Sequence, residues 1–336
     1  MMRPSITGYF GNLVASIGTG WNRFWYTPAD PLPLAILRIA AGMTALYLHI
    51  TLSADLVAFF GQGGLLDAAE VESMRPAYTQ WLCFLDYLQT PSALWAGHVL
   101  AGIVLALFTI GLYSRVTSIA ALYVVLCYIH RGPMIVGQAE AILAMIMFYL
   151  CLGPCGSNLS ADGWISRGRK EPAPPAASWG ANVALRLLQI HVSLVYLMMA
   201  TAKLKGGDFG PVWWSGDAMW YLIARPESRL VDLTFLHEHP FIVNLWTHAV
   251  VAFELAFGLL IWNRLWRPML LGLSLLMWCS LALVTGLVPF CFLMILAGVA
   301  YVPGEVLGGW FSRRDASNAN TAAPSAEEKR RVRVAR

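Results

Sequence analysis

The chain has 336 residues, of which 58% are hydrophobic and 12% charged. A soluble domain carries about 45–50% apolar and about 25% charged residues. With 14 Trp, 15 Phe and 12 Tyr and a mean hydropathy of +0.60, the composition excludes a water-soluble globular enzyme, a disordered chain and a disulfide-rich secreted domain. It places the protein in a bilayer, and the net charge of +4 is small.

Residues 1–31 hold no continuous apolar core and no small-residue cleavage site, so no secretory signal peptide is read there. Phe10, Leu13, Ile17, Trp21 and Phe24 recur at steps of three and four. One apolar, aromatic face of this kind predicts a helix lying in the membrane interface. A spanning helix needs about 20 apolar residues to cross a core of about 30 Å. Eight stretches predict spans: 33–53, 92–112, 116–131, 138–154, 181–203, 240–262, 267–286 and 288–307, the third and fourth being short. The fold expected is an all-α polytopic membrane bundle with interfacial helices. It divides into a segment 1–31, a single transmembrane domain 32–307 and a basic tail 308–336.

Between the first two spans, Met74, Tyr78, Trp81, Leu85 and Leu88 keep helical spacing and predict a second interfacial helix. Residues 166–178 read as a polar, Pro-rich loop. The tail ends in EKRRVRVAR, which suits anionic lipid and is the sole feature that would suit nucleic acid.

Charges between spans alternate. Arg3 and Arg23 face Asp30 before the first span, Arg115 sits in the next turn on that side, and Arg167, Arg169 and Lys170 follow against Asp162 and Glu171. Arg264 and Arg267 come next, then a tail from Pro303 with seven bases and four acids. The intervening segments are acidic: Asp55, Asp67, Glu70, Glu72 and Asp86 against Arg75, and later Asp208, Asp217, Glu227, Asp232 and Glu238 against Lys205, Arg225 and Arg229. Because Lys and Arg stay on the cytoplasmic side, both termini are expected inside and the end of the fifth span outside.

Polar groups at membrane depth are costly and need a reason. Gln189, Ser193, Tyr196, Ala200 and Lys203 follow steps of four, three, four and three on the fifth span. They share one face over about 21 Å. Two readings stand: interhelical hydrogen bonding with a lysine reaching for the outer interface, or a desolvated lysine that serves as a base. On the sixth span, Asn244, Thr247 and Glu254 lie along one stripe, and Glu254 needs a partner on the fifth span, such as Gln189 or Arg186. Arg38, early in the first span, is expected to reach toward anionic head groups, and Arg186 likewise.

The loop after Lys203, KLKGGDFGPVWWSGDAMWYLIARP, cannot span. It reads either as a lid or re-entrant piece over a lipid-facing cavity or as a plain interfacial helix, with Trp213, Trp214, Met219, Trp220 and Tyr221 at the head-group level; Trp213, Trp214, Met219 and Tyr221 are the candidate cofactor-contacting residues. His49, His98, His130 and His191 read as isolated, hydrogen-bonded structural histidines. His237 and His239 form an HxH with no third ligand nearby, and Cys151 and Cys155 complete no zinc spacing, so no metal site is expected. No nucleotide-binding or hydrolase motif is present.

Several of these residues resemble a known family. TPADPLPLAILRIAAGM at 27–43, GLYSR at 111–115 and SADG at 160–163 resemble motifs of the horizontally transferred transmembrane domain family, bacterial relatives of vitamin K-dependent gamma-carboxylase. Tyr196, then Lys203-Leu204, then Trp213-x-x-Gly216-x-x-Met219-x-Tyr221-Leu222 is similar in order and spacing to the carboxylase. The resemblance implies a bacterial inner-membrane protein in which Lys203 is the base that deprotonates vitamin K hydroquinone or another quinol. Tyr196, Gln189 and Glu254 are then supporting groups, and a peptide or protein is the substrate. The chain departs from the family at HRGPMIVGQAE, where His130 is out of register, and at Trp278, where the carboxylase has His. The carboxylase's large lumenal domain has no counterpart here. The expectation is therefore a quinol-linked membrane enzyme, with a non-enzymatic subunit for another protein's maturation or export as the alternative.

Overall fold

The computed structural model describes residues 6–66, 68–74, 83–88, 90–167, 177–205, 210–226 and 229–309. In chain order the helices are α1 (Ile6–Tyr26), α2 (Leu32–Thr51), α3 (Leu56–Phe60), α4 (Ala68–Met74), α5 (Pro91–Ile110), α6 (Ser114–Arg131), α7 (Gln138–Leu152), α8 (Ala161–Arg167), α9 (Trp179–Lys205), α10 (Gly210–Ser215), α11 (Ala218–Ile223), α12 (Pro240–Leu260), α13 (Arg267–Thr285) and α14 (Val288–Gly298). Single 3-10 turns occupy Phe84–Tyr87, Thr234–Glu238 and Val299–Tyr301. Among the described residues there is no strand, only an isolated bridge between Ala29 and Ser178.

Proline and glycine mark the ends of the long helices. Pro33, Pro91, Pro240, Pro268 and Pro289 sit in first turns, where a missing N–H costs nothing. Gly111 and Gly286 close α5 and α13 in the left-handed conformation.

Among the described residues, five helices are long and apolar enough to cross a membrane: α2, α5, α9, α12 and α13. Five of the eight expected spans meet that length. Helices do stand at the other three positions, but α7 has 15 residues, or about 22 Å, and α14 with its 3-10 turn runs only from Val288 to Tyr301. In α6 the ends are polar, with Ser114, Arg115, Thr117 and Ser118 at one and His130 and Arg131 at the other. The second interfacial helix, expected over 74–88, lies mostly outside the described residues, which omit 75–82. Phe84–Tyr87 is one 3-10 turn whose Leu85 is buried in a satellite core with Leu56, Phe60 and Leu94. The basic tail beyond residue 309 and most of the Pro-rich loop likewise fall outside the described residues.

Helix α1 forms as expected, with Leu13, Ile17 and Trp21 exposed. Its far end is docked: Asn182 Nδ2 donates to the Phe24 and Trp25 carbonyls at 2.7 and 2.8 Å, and the Arg186 guanidinium lies 4.7 Å from the Phe24 ring centre. The main core runs through the bundle, with Leu34, Leu37, Phe108, Ile146, Leu188 and Phe257 fully buried. Large apolar side chains such as Val99, Ile103, Met198 and Leu276 point outward, as a lipid-facing surface requires.

Helices α9 and α12 pack closely and antiparallel. A Cβ at Gly258 would meet the Leu197 side chain at 2.6 Å, so only glycine allows this approach. The Ala29–Ser178 bridge brings the starts of α2 and α9 to one end of the bundle. Their far ends, carrying His49 and Lys203, therefore share the other end.

Two of the sequence motifs meet at the first end. Asp162 of SADG accepts from the N–H groups of Tyr113 and Ser114 at 2.8 Å each and from the Ser114 hydroxyl at 2.7 Å. It caps α6, which begins inside GLYSR. Burial opposes the Asp162 carboxylate, but these hydrogen bonds and Arg38 outweigh it and hold its carboxyl below the ordinary value. Arg38 corrects its expectation: it is fully buried, donating to the Cys155 and Leu159 carbonyls at 2.6 and 2.5 Å. It ties α2 to the α7–α8 connection instead of reaching for head groups.

Candidate functional site

Lys203 stands in the last turn of α9. Helical side chains lean toward the helix start, and Lys203 turns back into the bundle. Its Nζ donates to Glu254 Oε1 at 2.6 Å and Oε2 at 2.8 Å. The Glu254 side chain is 1% exposed and that of Lys203 17%. Of the two readings of Lys203, the inward-turned one matches this geometry. Glu254 does find its partner on α9, but it is Lys203, while the suggested Gln189 and Arg186 bond each other. The choice follows from cost: an unpaired carboxylate at this depth is far more expensive than bending one lysine inward.

A lid covers the pair. Helices α10 and α11 follow the end of α9 and fold over α12. Trp213 lies over the ammonium, with Nζ 5.0 Å from its ring centre, a favourable arrangement for a cation on a π face. Trp214 Nε1 donates to the Leu204 carbonyl at 3.0 Å. The turn between the two short helices is fixed by Gly216 at φ +88°, packed directly against Asn244. Asn244 Nδ2 donates to the Ser215 carbonyl at 2.7 Å. The Met219 N–H donates to the Thr247 hydroxyl at 3.1 Å. The polar stripe Asn244–Thr247–Glu254 thus carries the lid at two of its positions and the ion pair at the third.

The candidate cofactor residues separate. Trp213 faces the site, and Met219 is buried in the core beneath the lid. Trp214 and Tyr221 are exposed on its outer surface.

The supporting candidates belong to neighbouring networks rather than to the pair. Tyr196 is fully buried, and its hydroxyl accepts from Trp278 Nε1 at 2.6 Å and lies 3.3 Å from the Ser274 hydroxyl. Its ring stacks on Phe257 at 4.0 Å. Gln189 Nε2 donates to the Ala300 carbonyl at 2.6 Å. The Tyr301 hydroxyl donates to the Gln189 carbonyl at 2.6 Å and lies 2.8 Å from the Ser193 hydroxyl. These bonds fasten the chain after α14 to α9. Trp278, Ser274 and Tyr301 were not legible as partners, because single apolar or hydroxyl residues on α13 and after α14 carry no spacing signal.

The histidines divide as well. His191 Nδ1 lies 2.9 Å from the Tyr149 hydroxyl, and His237 Nδ1 bonds the Thr234 carbonyl in its own turn. His49 and His98 are not isolated: they stack on each other. Among the described residues no three His, Cys, Asp or Glu side chains lie together so as to hold a metal, and all six cysteines are free. At the α7–α8 connection, burial pushes the Cys155 thiol up to about 11.

The class this construction defines is a helical membrane protein with a buried, lidded ion pair on the seam between two of its long helices. No family model, curated protein or solved structure matches the chain.

Proposed function

We propose that the chain is a membrane enzyme in which Lys203 moves a proton at the lid end of the bundle. The observation that supports this is the Lys203–Glu254 pair, of which Glu254 is almost wholly buried. Two apolar residues of similar volume would hold this seam as well or better, so a pair kept at this depth points to chemistry. Glu254 offers the ammonium proton a place to go: transfer to the carboxylate leaves a neutral amine beside a carboxylic acid. The amine then takes a proton from an acidic substrate group and returns to ammonium. Trp213 excludes water from the reacting edge and steadies the charge that re-forms. The resemblance to gamma-carboxylase relatives makes a quinol the acid of choice, since when bound it supplies an acidic hydroxyl and reducing electrons. In this reading both termini are cytoplasmic and Lys203 lies on the outer side of a bacterial inner membrane, which the alternation of basic and acidic segments supports.

The test is the Lys203→Arg variant, purified in detergent and assayed for oxygen uptake with a reduced naphthoquinone. Arginine keeps the ion pair but stays protonated. The expected result is wild-type melting with uptake lost. Uptake equal to wild type overturns the reading. A second reading, a non-catalytic subunit that holds another protein, draws on the exposed Trp214 and Tyr221 of the lid. It expects Lys203→Arg to be tolerated and Trp214→Ala to release a co-purifying partner.

A further inference from the structure

The end of α2, the start of α5 and the end of α6 bring four polar side chains together, away from the α9–α12 seam. The His49 and His98 rings stack with centroids 3.8 Å apart and planes 17° from parallel. His49 Nε2 lies 3.0 Å from the His98 carbonyl oxygen. A carbonyl only accepts, so Nε2 carries the proton, and in the neutral ring Nδ1 is a bare acceptor. His49 is 6% exposed, and no bond to Nδ1 is made among the described residues. His98 is held at both nitrogens, Nδ1 2.7 Å from the Tyr128 hydroxyl and Nε2 2.9 Å from that of Ser53. It acts as the fixed backing against which His49 is set.

A cavity of about 260 Å³ opens beside this cluster, lined by His49, Tyr128 and a mainly aliphatic wall that includes Leu48, Leu105 and Val124. That is near the lower end of small-molecule pockets, about 300–1,000 Å³. It holds a polar head and the first carbons of a chain, not a phospholipid head group. The wall has no cationic side chain, and its one acidic residue is Glu140, whose Oε2 accepts from the Gly137 N–H at 2.9 Å. Thr51 spends its hydroxyl proton on the Leu48 carbonyl. Phosphate and carboxylate heads therefore meet acceptors and a negative charge, and an ammonium would lose its hydration against an apolar wall. A neutral hydroxyl donor fits both the bare nitrogen and the aliphatic lining.

We propose that this cavity binds the hydroxyl head of a neutral single-chain lipid, of the long-chain alcohol or monoacylglycerol class, with the hydroxyl donating to His49 Nδ1. The site stands on different helices from Lys203 and Glu254, and its test does not use the activity proposed for them.

The experiment uses the full chain in phosphatidylcholine nanodiscs and a hexadecanol analogue carrying a diazirine near its hydroxyl, with labelled peptides mapped by mass spectrometry. The expected result is saturable labelling of 48–52 and 124–129. Hexadecanol should compete, and palmitate and hexadecylamine should compete about tenfold less well or worse. His49→Phe keeps a stacked ring but removes the acceptor, and should lower labelling about tenfold. Val124→Phe fills the cavity from α6 and should lower it similarly, so the test does not depend on one variant folding. Labelling that does not saturate, that falls on outward residues such as Val99 and Ile103, or that palmitate competes as well as hexadecanol overturns the proposal.

Discussion

Trp278 donates its indole N–H to the Tyr196 hydroxyl at 2.6 Å, both residues being almost wholly buried. The bond joins α13 to the middle of α9, a helical turn or two below the Lys203–Glu254 pair. Together with the Tyr196–Phe257 stack it fixes α9, α12 and α13 to one another. Trp278 stands where the resemblance leads one to expect histidine, and here its polar edge serves packing.

Replacing Tyr196 by Phe should leave the Trp278 N–H buried without an acceptor. The expected loss is about 1–3 kcal/mol, read as a lower melting temperature in detergent. Adding Trp278→Phe removes the orphaned donor, and the double variant should fall short of the sum of the single losses.

Removing one member of the ion pair should cost more than removing both. Lys203→Met leaves Glu254 alone at 1% exposure, for an expected loss of about 3–5 kcal/mol. Lys203→Met with Glu254→Leu should recover most of that stability. Thermal unfolding of the three variants measures it, and equal losses from single and double variants would count against a paired, buried charge.

Trp213→Ala should uncover the Lys203 amine. Loss of a cation–π contact costs about 0.5–2 kcal/mol. Amine-reactive labelling of Lys203, followed by peptide mass spectrometry at fixed pH, should rise above wild type. Trp214→Ala is the control, because Trp214 is exposed and its indole N–H bonds the Leu204 carbonyl, not Lys203.

Asp162 makes stability depend on acid. Its carboxyl lies below the ordinary value in the folded protein, so its stabilisation is complete above the unfolded value of about 4 and is lost as pH falls through the lower folded value. Asp162→Asn should lower the melting temperature at pH 7, with a cap worth about 1 kcal/mol. The difference from wild type should shrink as pH drops below about 4. A difference that stays constant across that range would rule out the charge as the cause.

Much of the architecture was legible because apolar length and helical spacing are local properties. The five long helices lie where runs of about 20 apolar residues stand, and the polar stripe of α12 was visible before its work was known. Contacts between distant segments were not legible. GLYSR and SADG could be read only as separate motifs, since nothing at either place says that Asp162 caps Ser114. The direction of Lys203 was left open because sequence gives a lysine two directions, and only the position of Glu254 on the neighbouring helix chooses between them. His49 and His98, 49 residues apart, looked solitary for the same reason.

The pair also reports position. Lys203 rides on α9 and Glu254 on α12, and each residue of sliding between antiparallel helices moves the charges by about 1.5 Å. A slide of one helical turn, about 5.4 Å, takes a 2.6 Å contact out of hydrogen-bonding range. The lid hangs on the same two helices, through Leu204 on one and Asn244 and Thr247 on the other. The pair and its cover therefore depend on one and the same register of α9 against α12.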